Sequence, residues 1–198
     1  MRNELNELFM DQYEERANII KCIATEIQFY INYRKNNDFD YELFQYVFYD
    51  CVQVLENWVG YTSVGVEKNI IIKNAFQCFF LNFYKMLLYF KNESQEPVEN
   101  ELAYKTLYQG KLFRYLGTSI NSECKASINV EYNDIYVSWS KKEYLPYMET
   151  KLHSNFIIIS CDVKTPFFGI DLHNLGIGKD FEKEVVFPTI KKLMCNKL

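Results

Sequence analysis

The chain has 198 residues, a hydrophobic content of 48% and a net charge of −4 at pH 7. Its length and composition are those of a globular protein with one large domain or two small lobes. The acidic balance argues against nucleic acid and anionic membrane surfaces as partners, because both require a basic face.

Cysteine and histidine usage argues against a metal site and for a reducing compartment. None of the six cysteines belongs to a Cys-x-x-Cys pair, so neither a zinc site nor a redox site is expected. His153 and His173 have no ligand partners at metal spacing. The N-terminus lacks the apolar core of a signal peptide, which predicts a soluble, cytoplasmic protein. A disulfide-bonded secreted form is the alternative.

The first part of the chain is predicted to be helical. Apolar residues recur at helical spacing over Ile20–Ile31 and Phe44–Trp58, and Gly60 is expected to end the second helix. A third helix is predicted over Glu67–Phe90. Its polar residues share one half of the helical wheel, which favours a core helix of a bundle over a membrane span. These polar residues are Lys73, Asn74, Gln77, Asn82 and Lys85.

The polar segment Lys91–Pro97 is predicted to be a linker, and the pattern changes to short strands after it. Turn signals such as Asn133-Asp134 separate the strands, and a short helix is expected over Lys141–Met148. The sequence thus predicts an α+β fold, with a helical N-terminal lobe over residues 1–97 and a small, mostly antiparallel β-sheet domain over residues 98–198. The predicted strands are Lys111–Leu116, Ile135–Trp139, Phe156–Cys161, Phe168–Leu172 and Glu184–Phe187.

Three polar groups interrupt the predicted strands of the second half. Arg114 lies within an otherwise apolar strand, where a buried guanidinium needs an anion. Ser138 and Ser140 flank one residue, so both hydroxyls face the same side. Glu182 and Glu184 also share a face, and two neighbouring carboxylates repel unless a cation or a function requires them. A serine beside such a carboxylate can hold it by a hydrogen bond. The alternatives are a structural ion pair for the arginine and ordinary strand hydroxyls for the serines.

The order and spacing of these groups resemble the arginine–serine–glutamate class of mono-ADP-ribosyltransferases. That class includes binary toxins, bacterial effectors and vertebrate ecto-enzymes, and its signature is Arg, then Ser-x-Ser, then Glu-x-Glu before an apolar run and proline. The stretch Glu182–Pro188 is similar to the last block, and the resemblance covers the chain from about Tyr104 to its end. It implies an ADP-ribosyltransferase-like sheet domain.

The resemblance also implies a chemistry, in which NAD is consumed as a substrate without any metal. Glu184 would stabilise the oxocarbenium-like transition state through the nicotinamide-side ribose, and Ser138 would orient that glutamate. Arg114 would bind the NAD pyrophosphate, with Ser140 completing the NAD-binding set. The sequence departs from the family at this arginine, which is followed by tyrosine instead of glycine. An alignment through Gln109 therefore stays open.

The resemblance assigns the acceptor side of the reaction to the residues just before the last strand. Glu182 would orient or deprotonate the guanidinium of an acceptor arginine, and Phe181 would contact the target protein. The expected function is therefore an NAD-dependent protein mono-ADP-ribosyltransferase, as in a bacterial effector or toxin that enters a host cell. A non-catalytic interaction protein and an NAD glycohydrolase are the alternatives.

Overall fold

The computed structural model describes residues 2–64, 70–117, 126–143, 156–178 and 183–197. In these ranges the fold is α+β, with four α-helices followed by six strands that pair antiparallel throughout. The chain divides into two compact units, Met1–Tyr104 and Lys105–Leu198. The division thus falls a few residues after the predicted boundary at residue 97.

The first unit is built from aromatic-rich helices. Trp58 on the second helix meets Phe76 and Phe80 of the third in edge-to-face contacts, with ring centroids 5.1 and 4.9 Å apart. Such pairs add about 0.5–1.5 kcal/mol each to the burial of their rings. No helix in the described ranges is long and apolar enough to cross a membrane. The helices are α1 (Arg2–Asn36), α2 (Tyr41–Val64), α3 (Ile70–Asn92) and α4 (Pro97–Thr106).

Two helix boundaries differ from the prediction. Gly60 does not end α2, which continues to Val64. A glycine in the interior of a helix is tolerated at a modest cost in stability. The predicted linker is also shorter. Helix α3 extends through Asn92, and α4, which was not predicted, begins at Pro97. Proline suits the first position of a helix, since the N–H that it lacks would have no partner there.

A buried carboxylate attaches α4 to α1. Glu99 is fully buried, and its two oxygens accept hydrogen bonds from Arg34 Nε at 3.1 Å and Arg34 Nη2 at 3.2 Å. The hydroxyls of Tyr30, at 2.5 Å, and of Ser94 donate to the same carboxylate. Burial of the Tyr30 phenol, and next its bond to Glu99, raise the pKa of that tyrosine. The network satisfies the buried charge.

The second unit is a six-stranded sheet in the order β1-β5-β6-β3-β2-β4. One of its faces carries an apolar core, formed by Leu112, Trp139, Ile159, Cys161, Val163, Val185 and Phe187. Trp139 Nε1 donates a hydrogen bond to the carbonyl of Phe187 at 3.3 Å, so the indole is both packed and satisfied. The strands are β1 (Leu107–Tyr108), β2 (Gly110–Gly117), β3 (Ala126–Ser140), β4 (Phe156–Val163), β5 (Gly169–Asp171) and β6 (Glu184–Lys197).

The Asn133-Asp134 turn signal does not reverse the chain. Strand β3 runs through it, and the ladder with β6 changes register between Glu131 and Tyr136 instead. Turn-forming residues also suit a β-bulge, where the backbone departs from the regular pleat. The helix expected over Lys141–Met148 is absent from its described part, residues 141–143, and the remainder lies outside the described residues.

Glu99→Gln is expected to destabilise the helical unit by about 3 kcal/mol, because the Arg34 guanidinium loses its buried counter-ion. Glu101→Gln is the matched control on the exposed side of α4, with an expected change within about 0.5 kcal/mol. Urea unfolding followed by helical circular dichroism measures both. Equal midpoints for the two variants would contradict a stabilising role of the network.

Glu26 of α1 has a pKa above its usual value, because burial disfavours its charged form and the neighbouring Asp50 carboxylate adds repulsion. Its Oε2 atom is buried, without a hydrogen-bond partner among the described residues. A carboxyl whose pKa is raised on folding binds protons more tightly when folded. Its ionisation therefore lowers stability as the pH rises past the unfolded-state pKa.

Glu26→Gln should therefore raise the melting temperature at neutral pH, and the gain should shrink as the pH falls toward the ordinary range of a glutamate. Glu15→Gln is the control, since Glu15 is exposed on the same helix. Melting curves between neutral and mildly acidic pH test this. A gain that is constant with pH would mean that the ionisation of Glu26 has no influence.

Candidate functional site

The pairing of β3 with β6 places three of the predicted site residues on one face of the sheet. Ser140 is in register with Glu184, and Ser138 with Val186. Paired residues share a face and neighbours along a strand alternate, so both serines and the glutamate point away from the apolar core that contains Trp139.

Ser138 and Glu184 are in direct contact. The serine Oγ donates a hydrogen bond to Glu184 Oε1 at 2.5 Å, in the range of a hydroxyl bound to an ionised carboxylate. Glu184 is 2% exposed. A carboxylate at this depth is costly without donors, and the serine supplies one of them. A ligand that contacts the glutamate must displace part of what covers it.

The register change in the middle of β3 makes this contact possible. In the outer part of the ladder Glu131 pairs with Lys192, and the shifts that follow bring Tyr136 opposite Pro188. Continued unchanged from the outer part, the register would pair Ser138 with Val185 and place the serine on the face opposite Glu184. A slip of one residue exchanges the two faces of a strand, so the irregularity decides whether this site exists.

Arg114 reaches the site from the other face. Its register partner on β4 is Ile159, a residue of the apolar core, so its side chain leaves the sheet on the side opposite the Ser138 hydroxyl. Its Nη1 atom donates to the main-chain carbonyl of Ser138 at 2.7 Å. In the described part of the ladder β2 and β3 share the register pair Phe113↔Ser140.

Ser140 and Gln109, the other residues considered for the NAD side, have hydrogen-bond partners of their own. The Ser140 Oγ accepts a hydrogen bond from the Lys142 N–H at 2.9 Å, which fixes the chain where β3 ends. Gln109, the alternative to Arg114, is exposed and donates from Nε2 to Thr165 Oγ1 at 3.0 Å and to the Phe167 carbonyl at 3.2 Å.

The acceptor-side residues Glu182 and Phe181 lie outside the described residues. The described chain resumes at Lys183, whose φ of +46° is in the left-handed region that residues with a Cβ rarely adopt. Glu184 follows at once as the first residue of β6.

An ion pair of Asp171, whose lysine partner could not be identified from the sequence, lies on the opposite face. Lys141 Nζ is 2.8 Å from Asp171 Oδ2, and the aspartate side chain is 1% exposed. Asp171 Oδ1 also accepts a hydrogen bond from the Asn174 N–H at 3.1 Å. Lys141 directly follows the Ser-x-Ser stretch, and this position was a signal in the sequence that it lies near the site. Its partner is 30 residues away, and sequence spacing does not reveal such a pair.

Among the residues that the structure describes, no group of three His, Cys, Asp or Glu side chains could hold a metal ion. No protein-family model, curated protein or solved structure matches this chain. A function is therefore inferred from its own residues and their geometry.

Ser138→Ala is expected to lower the free energy of unfolding of the sheet unit by about 2 kcal/mol, because a buried carboxylate loses a charge-assisted hydrogen bond. Ser160→Ala on β4 removes an exposed hydroxyl from the same sheet and should change it by less than about 0.5 kcal/mol. Denaturant unfolding followed by tryptophan fluorescence compares them. An equally small change for both would show that the Ser138 hydroxyl does not stabilise Glu184.

Proposed function

We propose that this protein is an NAD-dependent protein mono-ADP-ribosyltransferase that transfers ADP-ribose to an arginine of a target protein. The observation that carries the proposal is the bond from Ser138 to the buried carboxylate of Glu184, at the start of the last long strand. In the class that the motifs resemble, a serine orients the glutamate that stabilises the transition state. The hydrogen bond from Ser138 to Glu184 supports the same assignment here.

Burial gives Glu184 the property that this chemistry needs. Loss of nicotinamide leaves positive charge on the ribose, and a carboxylate shielded from water interacts with such charge more strongly than an exposed one. A carboxylate offers about four acceptor positions, and the bond from Ser138 occupies one of them. The serine fixes the orientation of the carboxylate before substrate arrives, which lowers the reorganisation needed during the reaction.

In the proposed reaction the bond between nicotinamide and the ribose carbon breaks. Nicotinamide leaves as the neutral base with the bonding electron pair, and a guanidinium nitrogen of the target forms a new bond to that carbon. The nitrogen gives up one proton, which Glu182 would accept or pass to solvent. Phe181 would contact the target protein beside it. The same cleavage with water as the acceptor would make the protein an NAD glycohydrolase.

Arg114 is the residue that favours a second candidate, a non-catalytic protein that retains this sheet for interaction. Its side chain leaves the sheet on the core face and donates to a main-chain carbonyl, which is the geometry of a structural residue. If it serves only this purpose, another group must bind the NAD pyrophosphate or NAD is not bound.

Incubation with radiolabelled NAD, in the presence and absence of cell lysate, separates the candidates. Transfer should label lysate proteins, and Glu184→Gln should reduce labelling by about 10²–10³-fold, as expected when one electrostatic stabiliser is lost. Glu182→Gln should abolish labelling while some NAD cleavage remains. Release of nicotinamide without labelled protein would indicate a glycohydrolase, and no NAD consumption under either condition would favour the non-catalytic candidate.

Arg114→Lys tests the role of the arginine. If Arg114 binds the pyrophosphate, the lysine variant should have a KM for NAD about tenfold or more higher, because lysine lacks the bidentate geometry of a guanidinium. A structural role predicts reduced stability with KM nearly unchanged. Lys111→Arg on the same strand is the matched control, because Lys111 is exposed.

A further inference from the structure

The start of β6 is held by its two neighbouring strands. Strand β6 lies between β3 and β5 in the sheet. From the β3 side, the Lys141 N–H donates to the Lys183 carbonyl at 3.2 Å, and from the β5 side, the Leu172 N–H donates to the Glu184 carbonyl at 3.0 Å. Lys183 and Glu184, the residue before β6 and its first residue, are therefore fixed by backbone bonds from opposite sides.

A side-chain ion pair also joins Lys141 to the residue that precedes Leu172. Lys141 follows β3 directly and forms the 2.8 Å ion pair with Asp171, the last residue of β5 and the neighbour of Leu172. Asp171 is in register with Val185, whose side chain belongs to the apolar core. The ion pair therefore crosses β6 on the face opposite the carboxylate of Glu184.

The surroundings of the pair limit its freedom. Asp171 is 1% and Lys141 16% exposed, and the ammonium lies 5.5 Å from the ring centroid of Tyr108. The second oxygen of Asp171 is held by the Asn174 N–H of the 3-10 turn His173–Leu175. A buried pair whose carboxylate has a partner on each oxygen and whose ammonium lies over a ring holds one geometry much better than an exposed pair.

The segment that the pair crosses needs such support. Lys183 adopts φ +46°, a conformation that is unfavourable for a residue with a Cβ and persists only where neighbours enforce it. The next residue is Glu184, whose carboxylate must meet Ser138 on the other face. A rotation at Lys183 would move that carboxylate directly.

We propose that the Lys141–Asp171 ion pair is a positioning device that fixes the Lys183–Glu184 backbone, and thereby the orientation of the Glu184 carboxylate toward Ser138. This inference rests on the proposed function for its effect on turnover, but not for its effect on structure. Neither residue contacts the reacting atoms in this proposal. Their contribution reaches the carboxylate through the strand between them.

The test compares Lys141→Met, Lys141→Arg and Asp171→Asn with Lys164→Met. The last variant breaks the exposed Lys164–Asp162 pair of the same sheet, where the N–O distance is 2.9 Å, and is the matched control. The first readout is amide hydrogen exchange at Lys141 and Leu172, with Ile159 on β4 as the reference amide. The second is the ¹³C chemical shift of the Glu184 carboxyl, and the third is NAD turnover.

In Lys141→Met and Asp171→Asn, exchange at the Lys141 and Leu172 amides should rise about tenfold or more while Ile159 is unchanged, since local opening becomes easier. The Glu184 carboxyl shift should move, and kcat should fall about tenfold with KM changed less than about twofold. Lys141→Arg should keep exchange, the Glu184 shift and kcat close to their wild-type values, and Lys164→Met should change none of the three.

Unchanged protection and an unchanged Glu184 shift in both pair-breaking variants would overturn the proposal, as would equal effects in Lys164→Met. If Lys141→Met does not fold, Asp171→Asn decides, because it keeps an oxygen for the Asn174 amide. A wild-type protein that does not consume NAD refutes the proposed function alone, since exchange and chemical shift still report on the positioning.

Discussion

A carboxylate placed inside a protein needs hydrogen-bond donors, and the sheet unit of this chain supplies one to Glu184 from the neighbouring strand. The Ser138 hydroxyl lies 2.5 Å from the carboxylate because β3 and β6 pair antiparallel in one particular register. Much else follows from that register. It directs Trp139 and Val185 to the apolar core, and it turns the polar residues of the same strands to the other face.

The two faces of the sheet carry different polar pairs. The face with the aromatic and aliphatic core contributes stability through buried area. It also carries the Lys141–Asp171 pair, which crosses β6 behind the glutamate. The opposite face carries the Ser138–Glu184 pair. Arg114 links the two faces. Its side chain extends on the core face, and its guanidinium binds the main-chain carbonyl of Ser138. Its position is the main departure from what the motif resemblance implies.

The sequence was sufficient for the features that depend on local pattern. Helical spacing and strand alternation predicted the α+β fold, with helices before a mostly antiparallel sheet, and all the described pairings are antiparallel. Alternation also indicated that Ser138 and Ser140 share a face. Each of these conclusions needs only the period of a single element.

Features that depend on the pairing of distant segments could not be predicted in this way. Asn133-Asp134 has the composition of a turn, and only the partner strand shows that β3 continues through it with a changed register. The face of Arg114 follows from its pairing with Ile159, which lies 45 residues further along the chain in the register of β2 and β4. Lys141 and Asp171 likewise meet only because β3 and β5 both pair with β6, one on each side. Helix α4 was missed because its ten residues carry a weak apolar pattern and its main contact is polar.

The proposed function requires that NAD binds to the face of the sheet that carries Ser138 and Glu184. A titration with NAD of protein carrying ¹³C-labelled glutamate carboxyls tests this, with the Glu184 resonance assigned by its loss in Glu184→Gln. We expect a saturable shift of this resonance, while that of the exposed Glu101 stays constant. Saturable binding of NAD that leaves the Glu184 resonance unmoved, or no binding at all, would contradict it.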